Sequence, residues 1–194
     1  MWCRCRVGGF WFAAGHPTAA VPLGDQYATR HNPFVYFHSI IDSPTCATGV
    51  VNLNQLPKDL QSEGGTPNFV FITPSLCDDG HDAPCKNGQP GGLVSVNSFL
   101  QQWVPLILGS PAYQRDGLLV IMFDEGGYTL TINPSGGYVI TFAGQACCSE
   151  QPGPNLAPFP QSSAIGPYTL NTQSFGGDRT GAVLLSPFLK PGTV

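Results

Sequence analysis

The chain has 194 residues and a formal net charge of −4, from 8 Lys and Arg against 12 Asp and Glu. Eight unclustered basic residues exclude the cationic surface that nucleic-acid binding requires, and no apolar run approaches the ~20 residues of a transmembrane helix. Hydrophobic residues make up 42% and aromatic residues 11%, so the chain has enough apolar material for a folded core. We expect one domain that acts on a small molecule or a lipid head group.

Hydrophobic patterning predicts the elements in chain order. Residues 34–41 are rich in β-branched and aromatic side chains, which indicates a strand. Residues 54–61, with Pro57 in the first turn, indicate a short helix. The run at 68–72 is short, continuous and apolar, which is typical of a buried parallel strand.

A helix is predicted over residues 95–108, where apolar residues recur every three to four positions and Pro105 should kink or shorten it. Residues 118–123 predict a second buried strand, and residues 182–185 a last one. Strand, helix and strand in succession predict an α/β fold with a mainly parallel sheet flanked by helices. Residues 126–180 are rich in Gly, Pro, Ser and Asn and predict a long loop insertion, with one weak strand at 138–142.

The cysteine content points to an oxidising compartment. Seven cysteines are many for a reduced cytosolic protein, so we expect a secreted or periplasmic chain. Cys77 and Cys85 flank an acidic segment, and a disulfide between them would close a short loop. The alternative is a zinc site formed by Cys77, His81 and Cys85, although the usual Cys-x-x-Cys spacing is absent.

Acidic residues follow both of the predicted buried strands. Asp79, His81 and Asp82 come after the first, and Asp124 and Glu125 come directly after the second. Ligands bind outside the carboxyl ends of parallel strands, and clustered carboxylates repel one another unless a cation lies among them. The pattern therefore favours a divalent metal site. Ordinary Asp-rich turns are the alternative interpretation of each cluster.

Six segments in fixed order resemble a known family. They are residues 25–37, 71–82 (Phe-Ile-Thr-Pro-Ser-Leu-Cys-Asp-Asp-Gly-His-Asp), 91–93, 123–125, 147–155 and 181–193. Together they resemble the secreted phosphoesterase family that includes bacterial acid phosphatases and phospholipases C, within the alkaline-phosphatase-like superfamily. The resemblance covers roughly residues 15–194, and residues 1–14 are unmatched.

The resemblance implies hydrolysis of a phosphate ester, either a small ester or a phospholipid head group, by metal-assisted catalysis. It implies a divalent metal ion and an alkaline-phosphatase-like fold. By motif, Asp79, His81, Asp82 and Asp124 are the expected metal ligands. Asp124, Glu125 and His31 are the expected catalytic residues.

The sequence also departs from the family pattern. The segment that carries an acidic residue, Asn and the Ser or Thr nucleophile has no counterpart here, and neither does the Asn-His pair expected after Gly192. We therefore expect the chain to be a central, truncated fragment of a single phosphoesterase domain, with an incomplete fold. The alternative function is a non-catalytic remnant that binds a metal or another ligand.

Overall fold

The computed structural model describes residues 12–13, 28, 31–44, 49–124, 126–134, 136–142, 157–173 and 179–192. The chain forms two compact units. The first contains residues 1–118 and 186–194, and the second contains residues 119–185.

The first unit is mainly helical. It has four α-helices, two 3-10 helices and one pair of short parallel strands among its described residues. The α-helices are α1 (His38–Ile41), α2 (Leu56–Asp59), α3 (Gly92–Leu108) and α4 (Pro111–Asp116), the 3-10 helices are Pro33–Tyr36 and Leu53–Gln55, and the strands are β1 (Phe12–Ala13) and β2 (Val50–Val51).

The helices expected at 54–61 and 95–108 are confirmed. Pro57 lies in the first turn of α2. Pro105 lies in the last turn of α3, which ends at Leu108. Proline cannot donate a backbone hydrogen bond to the preceding turn, and the helix ends three residues after Pro105.

The core of the first unit lies between α2 and α3. Leu56 and Leu60 contact Trp103 of α3, and all three are buried. Val70 and Ile72 pack against this cluster. The 3.6-residue periodicity of α3 therefore buries one apolar face, as its sequence predicts.

The strand predicted at 68–72 is wrong, because these residues form no strand pairing. The segment is extended, with Val70 and Ile72 turned to the core and Phe69 and Phe71 exposed by 47% and 36%. Its apolar residues are explained by packing on helices, so the expected strand–helix–strand unit does not form.

The strand predicted at 34–41 is also wrong. The Asn32 side chain accepts a hydrogen bond from Phe34 N at 3.2 Å, and Pro33 occupies the first position of a 3-10 helix. Both features favour a helix start. The side chain of His38 in α1 then meets that of Asp42, the residue that follows the helix. Local capping thus overrides the β propensity of this segment.

The second unit consists of β-strands. Strand β3 (Leu119–Met122) pairs antiparallel with β8 (Ala182–Leu185), which confirms the strands predicted there. Four further strands form one mixed sheet in the order β4-β5-β7-β6, in which only the β5–β7 pair is parallel. These strands are β4 (Thr129–Ile132), β5 (Tyr138–Phe142), β6 (Gln161–Ile165) and β7 (Tyr168–Thr172).

The fold class is confirmed as α/β, but the expected parallel character is wrong. Among the described residues, three of the five strand pairs are antiparallel. The segment 126–180, expected to be a loop with one weak strand, carries that strand as β5 together with three others. Strand β3 is not fully buried, because Val120 and Met122 are exposed on one face. No helix within the described ranges is long and apolar enough to cross a bilayer.

Candidate functional site

A disulfide between Cys77 and Cys85 closes the acidic segment into a loop, which we call the site loop (residues 77–85). The two Cα atoms are 5.3 Å apart, and both cysteines are buried. The predicted disulfide is confirmed, and the alternative zinc site is wrong because both sulfurs are bonded to each other. The loop carries Asp79, His81 and Asp82, three of the residues expected in the site.

His31 and Asp79 come together although 48 positions separate them in the sequence. His31 Nδ1 lies 3.2 Å from Asp79 Oδ2, and the two side chains are exposed by only 24% and 17%. The other carboxylate oxygen of Asp79 accepts the backbone N–H of His81 at 2.8 Å. Asp79 thus fixes both a distant imidazole and the turn of its own loop.

A second histidine–aspartate pair lies within the same loop. His81 Nδ1 is 2.9 Å from Asp82 Oδ1, with His81 more exposed (58%) than Asp82 (17%). The backbone of Asp82 is held on both sides, because its N–H donates to Leu76 O at 2.7 Å and its carbonyl accepts from Gly92 N at 2.9 Å. The partly exposed imidazole of His81 therefore contacts the carboxylate of Asp82, whose backbone is held in place.

Two contacts join His31 to the segment that leads into the site loop. The buried Thr73 hydroxyl donates to the backbone carbonyl of His31 at 3.0 Å. The rings of Phe34 and Phe71 meet edge to face, with centroids 5.9 Å apart. These contacts place the His31 backbone beside the loop, and they account for its meeting with Asp79.

Asp78, also in the site loop, accepts a hydrogen bond from the Ser75 hydroxyl at 2.9 Å. Asp79 and Asp82 contact imidazoles instead, so the three aspartates of the loop have separate side-chain partners. In the part of the chain that the structure describes, no three His, Cys, Asp or Glu side chains gather into a group that could hold a metal ion. The expected ligands Asp79, His81 and Asp82 occupy two side-chain pairs.

The second acidic segment belongs to the other unit. Asp124 lies two residues after the end of β3 at Met122, and it is exposed. Glu125 lies outside the described residues. The roles expected for Asp124 and Glu125 stay predictions.

Sequence reasoning missed two residues that hold this arrangement. Thr73 carries the hydrogen bond to His31, and Ser95 of α3 is buried beside the disulfide, with its Oγ 3.7 Å from Cys77 Sγ. Thr73 lies within the 71–82 segment that resembles the family, but no role was expected for its hydroxyl, and Ser95 lies outside the six segments. A polar residue within the first two turns of a predicted helix, close after two cysteines, is the signal that could have indicated Ser95.

Comparison with known proteins identifies the family of the sequence. The model of the phosphoesterase family matches residues 11–194. A phosphate-repressible acid phosphatase of Penicillium chrysogenum is 27% identical over 115 residues, which is 58% of this chain and 26% of that protein. An acid phosphatase of Aspergillus fumigatus is 26% identical over 103 residues, covering 53% of this chain and 21% of that protein.

A probable acid phosphatase of Kluyveromyces lactis is 24% identical over 100 residues, 52% of this chain and 22% of that protein. The chain thus matches only about a quarter of the length of these relatives. No solved structure shows significant similarity to it. Since the family model spans nearly the whole sequence, the chain belongs to the phosphoesterase family.

Proposed function

We propose that the protein hydrolyses phosphate esters and that His31, Asp79, His81 and Asp82 belong to its active site. The observation that carries the proposal is the contact of 3.2 Å between His31 Nδ1 and Asp79 Oδ2, formed across 48 positions of sequence. Family membership supports the reaction class. The matched relatives are named acid phosphatases, so a small phosphate monoester is the first substrate to test.

Each carboxylate orients an imidazole. When the Nδ1–H of His31 donates a hydrogen bond to Asp79, Nε2 is left as the basic nitrogen that accepts or returns a proton at the substrate. His81 and Asp82 repeat the arrangement at the more exposed side of the loop. Imidazoles held in this way are suited to general acid–base work and also to metal ligation through Nε2.

We also propose that a divalent cation takes part. The imidazole and carboxylate groups of the site are chemically suited to Zn or Mn, although the described residues form pairs rather than a group of three. When bound, such an ion would offset negative charge on the transferring phosphoryl group. The residues of this chain would orient its ligands: Asp79 fixes His31, and Asp82 fixes His81.

Three finer features complete the proposal. Asp124 would take part in catalysis, because it matches the family's acidic pair after a strand. A phospholipid head group is the second substrate class, by the resemblance to phospholipases C. The protein would fold in an oxidising compartment, secreted or periplasmic, because a buried disulfide closes its site loop.

The test is hydrolysis of p-nitrophenyl phosphate by the purified, oxidised chain and by His31→Gln and Asp79→Asn. Each substitution should lower kcat/KM by roughly 10²–10⁴-fold, as expected for loss of a general acid or base. The two effects should not add, because both side chains act as one unit. Asp124→Asn should also lower kcat while leaving the unfolding midpoint unchanged.

His38→Gln is the matched control. His38 Nδ1 lies 3.0 Å from Asp42 Oδ2, but that pair is exposed by 88% and 71% and lies on a different segment. Its loss should leave kcat/KM unchanged. Wild-type kcat/KM in His31→Gln would refute the site.

The metal and the substrate class need separate assays. The proposed role of the metal ion is tested by metal analysis after dialysis, with activity measured before and after chelation. A metal-free protein of full activity would refute that role and leave the hydrolase proposal intact. Bis-p-nitrophenyl phosphate and phosphatidylcholine test the diester class.

The second candidate function is a non-catalytic protein that binds a metal or phosphate. It is favoured because no segment of this sequence matches the family segment that carries the Ser or Thr nucleophile. Calorimetric binding of Zn²⁺ or inorganic phosphate, with no turnover of monoester, diester or phospholipid, would establish this function in place of the first.

A further inference from the structure

Helix α3 begins directly against the site loop. Gly92 N donates to the carbonyl of Asp82 at 2.9 Å. A Cβ added at Gly91 would lie only 1.9 Å from that carbonyl oxygen and 2.8 Å from the carbon that bears it. Gly91 has φ 68° and ψ −162°, a conformation that is essentially restricted to glycine. A side chain at position 91 would therefore have to displace the Asp82 backbone or the start of α3.

Ser95 joins the same helix start to the other end of the loop. It is only 5% exposed. Its Oγ accepts the Gly91 N–H at 3.1 Å and lies 3.7 Å from Cys77 Sγ. The first turns of α3 thus contact the loop at Cys77 through Ser95 and at Asp82 through the two glycines.

We propose that Gly91 and Ser95 are positioning residues that set the place of the His81–Asp82 pair. They touch neither imidazole nor carboxylate in the contacts described above, and they act by holding the Asp82 backbone. The Asp82 Oδ1–His81 Nδ1 distance of 2.9 Å depends on that backbone, so a shift at position 91 weakens the orientation of His81. This inference rests on the proposed function for its catalytic consequence, and its structural part can be tested alone.

The structural part is tested by NMR of the imidazole carbons. The chain has four histidines, so the His81 signal can be assigned from its loss in His81→Gln. In Gly91→Ala and Ser95→Ala, the His81 signal should move from its wild-type position while that of His38, on a separate segment, stays in place.

Gly88→Ala is the matched control. Gly88 also has a positive φ, 84°, and lies close to the same loop, but nothing lies within 4 Å of an added Cβ. It carries the same kind of backbone strain without the clash. Its His81 signal should remain at the wild-type position.

The catalytic part is tested by kinetics on p-nitrophenyl phosphate. A displacement of about 1 Å at a reacting group can cost on the order of 10²-fold in rate, so Gly91→Ala should lose that factor in kcat with little change in KM. Gly88→Ala should keep wild-type kcat. A general loss of fold would instead lower the active fraction in both glycine variants.

The outcomes separate the two proposals. Inactive wild-type protein would refute the proposed function, and the NMR comparison would still decide the positioning role. A folded Gly91→Ala variant with wild-type His81 signal and wild-type kcat would overturn the inference. If Gly91→Ala does not fold, Ser95→Ala decides, because it removes the acceptor for Gly91 N–H and the contact with Cys77 Sγ without adding a clash. An unmoved His81 signal in Ser95→Ala would overturn the inference equally.

Discussion

Removing the Cys77–Cys85 disulfide should destabilise the first unit by about 2.5 kcal/mol. The two cysteines are eight positions apart, and the chain-entropy relation for a loop of that length gives about 8.3 cal/mol/K, or about 2.5 kcal/mol at 298 K. For a chain of this size, about 1 kcal/mol shifts Tm by ~2–4 °C. The double variant Cys77→Ala/Cys85→Ala should therefore unfold about 5–10 °C below the wild type.

Tryptophan fluorescence is a suitable assay because it reports on the unit that contains the disulfide. All three tryptophans, Trp2, Trp11 and Trp103, fall within residues 1–118. Urea and thermal unfolding would be followed at the emission maximum for the oxidised wild type and for the double variant. Reductant added to both proteins is the control, because it separates this disulfide from any effect of the other five cysteines.

An unchanged midpoint in the double variant would refute the entropic argument. The backbone bonds of the loop suggest how that could happen: Cys85 N donates to Gln89 O at 2.9 Å, and Asp82 is bonded to Leu76 and Gly92. If these bonds alone fixed the loop in the folded state and persisted in the unfolded ensemble, the disulfide would remove no further entropy. A measured loss near 2.5 kcal/mol would show that they do not.

Two further perturbations test the packing and the surface charges. Trp103→Ala should destabilise the first unit by about 3–5 kcal/mol, because Trp103 is 8% exposed and contacts Leu56 and Leu60. Urea unfolding followed by circular dichroism measures this loss. A loss below about 1 kcal/mol would mean that the core lies elsewhere. Arg115→Gln should leave the unfolding midpoint unchanged, because its contacts with Asp116 and Glu63 are solvent-exposed. Hydrogen bonds that Arg115 donates to Asp116 and then to Glu63 raise its pKa. A raised pKa on a base gives stability that is lost only above the unfolded pKa, so the difference between wild type and Arg115→Gln should be the same at about pH 5 and pH 9. A difference that grows towards the higher pH would contradict this account.

The sequence predicted elements wherever an apolar pattern had one structural explanation. Helix α3 is recognised because its buried face repeats at helical spacing, and Trp103 falls on that face. Strand β3, with four consecutive apolar residues, is recognised in the same way. The disulfide followed from cysteine spacing and the chemistry of small loops.

The second-unit sheet was largely missed because its strands have little apolar pattern. Strand β6 reads Gln-Ser-Ser-Ala-Ile and β7 reads Tyr-Thr-Leu-Asn-Thr, and every residue of β4 is exposed. What stabilises these strands is backbone pairing in register, including the parallel pair of β5 with β7 across a long connection. Such pairing depends on partners distant in sequence, which a periodicity argument does not detect.

The candidate site was predicted in composition but not in its mode of assembly. Sheet geometry predicts the residues around Asp79 at the end of a buried strand, but the described residues 52–78 contain no strand. Three contacts hold the site in place instead: the disulfide at Cys77, the bond from the Thr73 hydroxyl to His31, and the bond from the start of α3 to Asp82. Each of these contacts fixes the backbone, and each imidazole is oriented by its own carboxylate. A loop held in this way can keep two histidine–aspartate pairs in place without a strand beneath it, so the sheet-edge rule is not needed to explain why these residues meet.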